Sequence, residues 1–446
     1  MRRGLAPEAL LVLTFGGLIL AGTALLSLPA SQTAERVGIL DCLFTSTSAV
    51  CVTGLTTVDT GTRWTLFGQL VILALIQLGG LGVMTFAALA GMLLRRPVSF
   101  SSAAALHDAF FDSEARLEMG RALLRIVLIT LAIELVGAIV LYTELRTADR
   151  ERAVFAAVFL SISAYCNAGF SVYSDSVVGL RHSAVVIWTI MILITAGGIG
   201  YHVLIEIAQR AKRRLFRQAQ PTVRWSLHTR VVLVASALLT FGGALAIGLA
   251  GLTAAEADAP MRAVHALFQS VTARTAGFNT VDVGALPVPT LLILTALMFV
   301  GGSPGSTAGG IKTTSAAVLA ATLQGRLVGR TEPVMWGRTI PTEVARKAGL
   351  GLALAVVWNA AGVLLLSFTE NLDRTVRFEY LVFEQVSAFC TVGLSCNFTT
   401  ELSPVGKAWI IASMYVGRLG TLTIAFFVIH ARRPRFRYPT ERIMIG

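Results

Sequence analysis

The stretch Ser48-Ala49-Val50-Cys51-Val52-Thr53-Gly54-Leu55 is a short polar segment with a glycine near its end, and it separates two apolar runs. Similar segments follow at Ser163-Ala164-Tyr165-Cys166-Asn167-Ala168-Gly169-Phe170, Thr272-Ala273-Arg274-Thr275-Ala276-Gly277-Phe278 and Ser387-Ala388-Phe389-Cys390-Thr391-Val392-Gly393-Leu394. Their glycines recur at intervals of 115, 108 and 116 residues. Self-similarity of this kind indicates an internal repeat. We therefore interpret the chain as four copies of one unit.

The surroundings of each glycine loop are also alike. In the first copy, apolar spans at about 6–28 and 65–94 enclose the segment 39–50. That segment is too short to cross a bilayer core of about 30 Å, so it is predicted to be a pore helix that enters halfway. Irregular backbone at membrane depth must be sheltered by protein or line water. Four such loops around one axis would form a ring of carbonyl oxygens, which can replace the hydration shell of a cation.

The composition is that of a polytopic membrane protein. The chain has 446 residues, of which 55% are hydrophobic and 14% charged, and its mean hydropathy is +0.72. The predicted fold is therefore an all-α polytopic membrane protein with four pseudo-repeated units, each a first span (M1), a pore helix and a second span (M2), around one central pore.

The net charge of +12 comes from basic residues in short loops beside the spans, such as 95–96, 212–217 and 432–435. This placement follows the positive-inside rule and argues against a nucleic-acid surface. It predicts a multi-pass protein of the plasma (inner) membrane with eight full spans and both termini in the cytoplasm. The N-terminal apolar run resembles a signal peptide but is long enough to span, so we expect it to remain as the first helix.

The repeats divide the chain into five segments. They are repeat 1 at residues 1–97, a cytoplasmic linker at 98–118, repeat 2 at 119–217, repeat 3 at 218–330 and repeat 4 with a C-terminal tail at 331–446. The linker alternates charged and apolar residues, which predicts an amphipathic helix that either lies on the membrane or docks a partner.

The loops themselves are the candidate selectivity filter. Glycine suits positions where carbonyl groups turn toward an ion, because the required φ values are resisted by other residues. The predicted filter residues are Cys51, Val52, Thr53, Gly54, Cys166, Asn167, Ala168, Gly169, Arg274, Thr275, Ala276, Gly277, Cys390, Thr391, Val392 and Gly393. Just beyond the loops, Asp59, Asp175, Asp282 and Thr399 are positioned to attract cations to an outer mouth, although each alone could be an ordinary solvated loop residue.

The M2 segment of repeat 3 differs from the others. After an apolar run, residues 301–314 are too rich in glycine, with one proline, to continue as a helix. We interpret this segment as an intramembrane gating loop. The predicted gate residues are Gly301, Gly302, Ser303, Pro304, Gly305, Ser306, Thr307, Ala308, Gly309, Gly310, Lys312 and Arg418. The loop loosely resembles a phosphate-binding loop, but its glycine and lysine spacing is wrong and it follows a membrane span.

Three other polar residues fall within apolar segments. Arg418 lies in the predicted last span, 405–430, and is expected to face water or a carboxylate, either as a barrier to the ion or in a buried ion pair. Glu134 is a candidate functional carboxylate or a structurally paired one, with Arg121 and Arg125 before it on the same helix or with a partner on a neighbouring helix. His265 is predicted to be a packing residue, and the five cysteines lack metal-ligand spacing.

On these motifs the chain resembles the superfamily of Trk, Ktr and HKT potassium transporters, and within it the Ktr branch. The resemblance rests on the four repeats, the four filter glycines, the loop 301–314 and Arg418. The absence of an extra helix pair before repeat 1 favours the Ktr branch.

The resemblance implies potassium uptake through a gated, channel-like pore without a covalently bound cofactor, and sodium as an activating ion in the Ktr branch. It implies K⁺ contacts at Val52, Thr53, Asn167, Ala168, Thr275, Ala276, Thr391 and Val392. The expected partners are the lipid bilayer, a second copy in a homodimer, and a cytoplasmic ring of nucleotide-binding subunits similar to KtrA; no nucleic acid is expected.

Two other functions are compatible with a membrane protein of this size. A proton- or sodium-coupled cation symporter with alternating access would use intramembrane carboxylates and inverted repeats, whereas these repeats are parallel. A membrane enzyme would need a nucleophile with a base, metal-ligand spacing or a cofactor loop, and the sequence has none of these patterns. We therefore predict a transporter and not an enzyme.

Overall fold

The structure is a computed structural model that describes residues 7–33, 35–95, 113–148, 151–215, 225–251, 259–370, 377–420 and 423. The described chain is mostly helical, which confirms the predicted fold class. The helices are α1 Pro7–Leu26, α2 Ile39–Val50, α3 Thr60–Arg63, α4 Leu66–Arg95, α5 Ser113–Ala148, α6 Ala153–Cys166, α7 Ala184–Ile199, α8 Tyr201–Leu215, α9 Leu227–Ala250, α10 Ala259–Thr272, α11 Val288–Phe299, α12 Thr313–Leu327, α13 Thr342–Thr369, α14 Phe378–Phe389 and α15 Pro404–Leu419. Strands β1 Val334–Met335 and β2 Arg338–Thr339 form one antiparallel hairpin.

Two predicted segments lie partly outside this description. Helix α5 begins at Ser113, so the end of the predicted linker 98–118 belongs to the first span of repeat 2, and the rest of the linker is outside the described residues. The predicted last span, 405–430, is described as a helix only to Leu419.

Short buried helices occupy the predicted pore-helix positions. Helix α2 has the predicted bounds 39–50, and α6, α10 and α14 occupy the same place before the other three glycine loops. Each contains a fully buried phenylalanine at the same place in its repeat, namely Phe44, Phe159, Phe268 and Phe383. These rings anchor the pore helices in the protein core, because burying a phenylalanine contributes about 1.5–3 kcal/mol.

One contact joins the first span to the pore helix in three of the repeats. The hydroxyls of Ser46, Ser161 and Ser270 donate to the carbonyls of Ile19, Glu134 and Thr240, at 2.7, 2.6 and 2.7 Å. Three residues after each of those carbonyls, a glycine lies directly against the serine hydroxyl; these glycines are Gly22, Gly137 and Gly243. A side chain there would push the helices apart. In repeat 4, Gln385 lies against Gly362 instead.

The repeats follow one another around a ring. Helix α4 packs on the pore helix α6 of the next repeat, α7 on α10, α11 on α14, and α15 on α2 of the first repeat. An ion pair at this last junction joins Lys407 Nζ to Asp41 Oδ1 at 2.8 Å. The four units therefore enclose a common axis.

The second spans differ in continuity. Helix α4 runs without a break for 30 residues, whereas α7 ends at Gly200 and α8 leaves it at a bend of 108°. In repeat 3, α11 and α12 are separated by 13 residues, 300–312. These breaks are one reason why, of the described helices, only three are long and apolar enough by themselves to cross a membrane, or four if the bent pair counts as one. The outer faces expose large apolar side chains, such as Leu135, Leu238 and Phe368, as expected for contact with lipid.

Candidate functional site

The four glycine loops meet in a closed ring. A Cβ atom built on Gly54 would meet the carbonyl oxygen of Ala168, the loop residue before the next glycine. The same relation joins Gly169 to Ala276, Gly277 to Val392, and Gly393 back to Thr53. Only a residue without a side chain allows the loops to approach this closely, and the cycle returns to its starting point after four steps.

The loop backbone alternates between left- and right-handed conformations. Positive φ occurs at Val52, Asn167, Thr275 and Thr391 (55°, 58°, 77° and 51°) and again two residues later at each glycine (98°, 68°, 77° and 94°), but not at the residue between them. Such alternation turns successive carbonyl groups to the same side of the chain. Three of the four non-glycine positions carry β-branched residues, for which positive φ is a strained conformation that the surrounding structure must enforce.

A hydroxyl at the end of each pore helix holds its loop in place. Ser48 and Ser387 accept from the backbone N–H groups of Gly54 and Gly393 at 3.0 and 3.1 Å. Ser163 and Thr272 instead donate to the carbonyls of Phe170 and Phe278 at 2.7 and 2.8 Å. Each of these four residues is the first residue of its repeated motif, a signal that the sequence carries but that by itself does not reveal the hydrogen bond.

A cavity of about 490 Å³ opens on one side of the ring. The four glycines line it, together with the predicted mouth residues Asp59, Asp175, Asp282 and Thr399. Each aspartate also accepts a backbone N–H of its own loop, from Gly61, Gly179 and Gly284 at 2.7, 2.7 and 3.0 Å. The carboxylates are therefore held at the mouth as fixed negative charges.

A buried carboxylate that the sequence analysis missed lies behind the mouth. Glu384 on α14 is fully buried and accepts from Ser395, at 2.9 Å, and from Thr399, both of which line the cavity. Close by, burial raises the pKa of the Cys396 thiol, and the carboxylates of Glu384, Asp282 and Glu379 raise it further. Both effects favour the neutral thiol over the thiolate.

The opposite side of the ring is covered by residues 300–312. Ser303 N–H donates to Gly198 at 3.0 Å, and Thr307 donates through its N–H to Gly197 and through its hydroxyl to Tyr165, both at 3.4 Å. The loop thus contacts repeat 2 directly below its glycine loop. Its own ends are joined by a parallel bridge between Val300 and Ile311.

The same segment also contacts repeats 1 and 4. Gly80 of α4 lies against the methyl group of Thr307, and Gly309 lies against the side chain of Thr391 in the fourth filter loop. The predicted gate residues 301–310 therefore form a crossing below the ring that contacts the other three repeats.

Arg418 fixes this crossing through hydrogen bonds to backbone. Its guanidinium donates to the carbonyl of Thr307, and to that of Gly79 at 3.0 Å. The prediction that Arg418 faces water or a carboxylate is wrong, because the side chain is 5% exposed and both of these acceptors are peptide oxygens. A sequence pattern could not reveal these acceptors, because every residue type has a backbone carbonyl group. Lys312 Nζ similarly donates to Ala308 at 2.6 Å.

Two predicted residues have environments that the sequence did not specify. Arg274 begins the third filter loop, but its guanidinium turns away to Ser236 and Thr240 on α9 at 3.0–3.1 Å, so only its backbone belongs to the loop. Glu134 accepts from Gln77 Nε2 at 3.1 Å, a neutral partner on the neighbouring helix α4 and not Arg121 or Arg125. His265 is fully buried, as expected for a packing residue.

The known proteins that this chain resembles are described as cation transport or uptake proteins. The family model described as "TrkH: Cation transport protein" matches residues 14–435. Potassium/sodium uptake protein NtpJ of Enterococcus hirae is 34% identical over 454 residues, covering 100% of this chain and 98% of that protein. Ktr system potassium uptake protein B of Bacillus subtilis is 34% identical over 446 residues, with coverage of 99% and 97%.

A solved structure has a similar fold. The crystal structure of the potassium transporter TrkH from Vibrio parahaemolyticus superposes with a TM-score of 0.74 at 18% identity, covering 95% of this chain and 84% of that one. At this identity the likeness concerns the fold. The sequence matches over the full length carry the family assignment.

Proposed function

The chain belongs to the TrkH family of cation transport proteins, not to a family of enzymes, and on that premise we propose that it takes up potassium through a gated, channel-like pore. The single observation that supports this most is the closed ring of four glycine loops, each touching the next. Relatives named as potassium uptake proteins agree with this choice of ion. The proposed location is the plasma (inner) membrane, with both termini in the cytoplasm.

In this proposal the ion is held by backbone oxygens of the ring. Carbonyls that point to one side replace water molecules around a cation as it enters. The C-terminal ends of the pore helices, which carry partial negative charge, face the same region. The proposed K⁺ contacts are Val52, Thr53, Asn167, Ala168, Thr275, Ala276, Thr391 and Val392.

The loop 301–312 is the proposed gate. Its hydrogen bonds to Gly197, Gly198 and Arg418 hold it across the path below the ring, and Arg418 adds a fixed positive charge there. A charge in this low-dielectric setting repels a cation more strongly than it would in water. Flux then requires the loop to move and its contacts with Arg418 to break.

Control from the cytoplasmic side is part of the proposal. A homodimer bound to a ring of nucleotide-binding subunits, with sodium as an activating ion, would bias the gate. The support is the likeness to a potassium uptake protein of a Ktr system and to NtpJ, which is named as a potassium/sodium uptake protein.

Deletion of residues 305–310 tests the gate. Vesicles that contain the purified chain should take up rubidium several times faster after the deletion, because the crossing below the ring is removed. Protein-free vesicles set the leak, and the exposed Gly248→Ala variant is the control for a neutral change. Unchanged flux in a correctly folded deletion variant would rule out the gate assignment, while absence of any alkali-metal flux would rule out the pore itself.

A coupled symporter with alternating access is the second candidate, favoured by the buried carboxylate Glu134, which lies within hydrogen-bond range of the filter residue Cys166. That mechanism needs Glu134 to gain and lose a cation or proton during each cycle. Replacing Glu134 with Gln should then abolish uptake. In the gated-pore proposal, Gln keeps the contact with Gln77 and uptake continues.

A further inference from the structure

Helix α8 leaves the membrane-crossing direction just below the ring. Helix α7 begins six residues after Val178, which lines the outer cavity, and has 16 residues, which corresponds to about 24 Å. It therefore ends near the opposite face of a bilayer core of about 30 Å. The bend of 108° at Gly200 then directs α8 nearly parallel to the membrane plane.

The two faces of α8 have opposite character. Leu204, Ile207, Ala208 and Leu215 share an apolar face, and Leu215 at its end is 78% exposed. Lys212, Arg213 and Arg214 are exposed in the last turn. The start of this face packs against α5, where Leu204 lies beside Ile126, while its end at Leu215 is exposed. A helix with an exposed apolar end and a basic polar side is typical of segments that lie in the headgroup region of a membrane.

The polar side of α8 is attached to the start of repeat 3. The Glu206 carboxylate accepts from Ser226 N–H at 3.1 Å and from the Thr229 hydroxyl at 2.5 Å, at the N-terminus of α9. One turn later, the Arg210 guanidinium stacks 3.8 Å over the Trp225 ring. These contacts fix the orientation of α8, and its last turn is exposed in the described part of the chain.

The first residue of α8 touches the gating loop. Tyr201 N–H donates to the carbonyl of Gly305 at 3.1 Å. A Cβ on Gly200 would meet the carbonyl of Pro304 at 2.7 Å, so the hinge and the tip of the loop are in direct contact. A force on α8 is therefore transmitted to residues 304–305.

From this geometry we propose that the last turn of α8 binds acidic phospholipid headgroups, and that the bound lipid keeps α8 in the position in which it supports the closed loop. The charge of Lys212, Arg213 and Arg214 complements an acidic surface, and the apolar edge fits the acyl region beside it. A ligand favours the conformation that it binds more tightly. Acidic lipid therefore increases the fraction of closed pores and lowers the ion flux. This second part rests on the proposed function, whereas lipid binding does not.

The test uses the full chain reconstituted without any other protein. Wild type, a triple neutral variant (Lys212→Gln, Arg213→Gln, Arg214→Gln) and a charge-keeping variant (Lys212→Arg, Arg213→Lys, Arg214→Lys) are placed in phosphatidylcholine vesicles with rising phosphatidylglycerol. The matched control replaces three other exposed basic residues, Arg326, Arg330 and Arg338, with Gln.

The first measurement is the phosphatidylglycerol that remains bound to purified protein in native mass spectra. We expect wild type, the charge-keeping variant and the control to retain it equally, and the neutral variant to retain several times less. The second is rubidium flux, which should fall two- to threefold with rising phosphatidylglycerol in every variant except the neutral one.

Equal retention of phosphatidylglycerol by the neutral variant and the wild type overturns the binding proposal. If the neutral variant retains less phosphatidylglycerol than the wild type, but the rubidium flux of the wild type does not change with lipid composition, the proposed link between α8 and the loop is overturned. Absence of flux in all preparations, with the retention differences intact, counts against the proposed function instead.

Discussion

The two sides of the glycine ring are built in opposite ways. On one side, a cavity of about 490 Å³ reaches the four glycines and is lined by three aspartates. On the other side, residues 301–310 cross the axis, and the cations Arg418 and Lys312 hold them by hydrogen bonds to carbonyl groups. One face is thus open and negative, and the other is closed and positive.

In the proposed function, this difference separates two tasks of a single pore. Because the open side needs no motion to admit an ion, its residues would affect the rate at which cations arrive. The closed side would control whether an ion can leave the ring, so its residues would affect the fraction of time for which the path is open. The ring between them is the proposed selectivity filter. Substitutions in the ring, on the closed side and on the open side should therefore change ion selectivity, total flux and salt-dependent uptake, respectively.

The largest effect is expected from the ring itself. Gly277→Ser places a side chain against the carbonyl of Val392 at a φ of 77°. Strain and overpacking of about 1–3 kcal/mol each would distort the loop, so potassium selectivity over sodium should fall by about a hundredfold. Rubidium uptake in the presence of competing sodium measures this. Gly248→Ser, where a side chain meets only open space, is the control; equal selectivity in both variants would contradict the proposed filter.

The second prediction concerns the closed side. Arg418→Ala removes the donors to Thr307 and Gly79, and a hydrogen bond from a charged group contributes about 1.5–3 kcal/mol. The closed loop should lose stability relative to the open one, and flux should rise by roughly tenfold. Arg418→Lys keeps the charge but not the fork geometry, so it separates the electrostatic barrier from the hydrogen bonds. A decrease in flux for a folded Arg418→Ala protein would be inconsistent with a restraining role.

The smallest effect is expected on the open side. Replacing Asp59, Asp175 and Asp282 together with Asn keeps an oxygen to accept the loop N–H groups but removes three charges. At low potassium and low ionic strength, uptake should fall by about threefold, and the loss should shrink at high salt because exposed charges are screened. Initial uptake rates at two salt concentrations test this, with Glu343→Gln as a control remote from the cavity. A loss that does not depend on salt would indicate a structural role for the aspartates.

The repeated framework could be predicted from the sequence because its signals are local. A short apolar run that ends in a glycine motif, as at Ile39–Val50 and Phe378–Phe389, specifies a pore helix by its length and by the residue that ends it. The positions of the filter loops and of the loop 301–314 follow from the same kind of pattern.

The hinge at Gly200 could not be predicted in this way. The segments 77–82 and 196–201 both carry several glycines within an apolar helix, yet the first continues as α4 and the second breaks. The two segments differ in what they pack against. Gly200 faces the carbonyl of Pro304, about a hundred residues away in the chain. The acceptors of Arg418 were hidden for a related reason, because any residue type can supply a peptide oxygen.

The positive φ values at Val52, Thr275 and Thr391 have a consequence for chemical synthesis of this protein. Each is an L-amino acid held in the backbone shape that its mirror image prefers, which costs about 1–2 kcal/mol per residue. A D-enantiomer introduced at Val52 by peptide ligation would relieve that cost without altering the chain length. The ring could thus be made more rigid by inverting a single stereocentre, a change that no codon can encode.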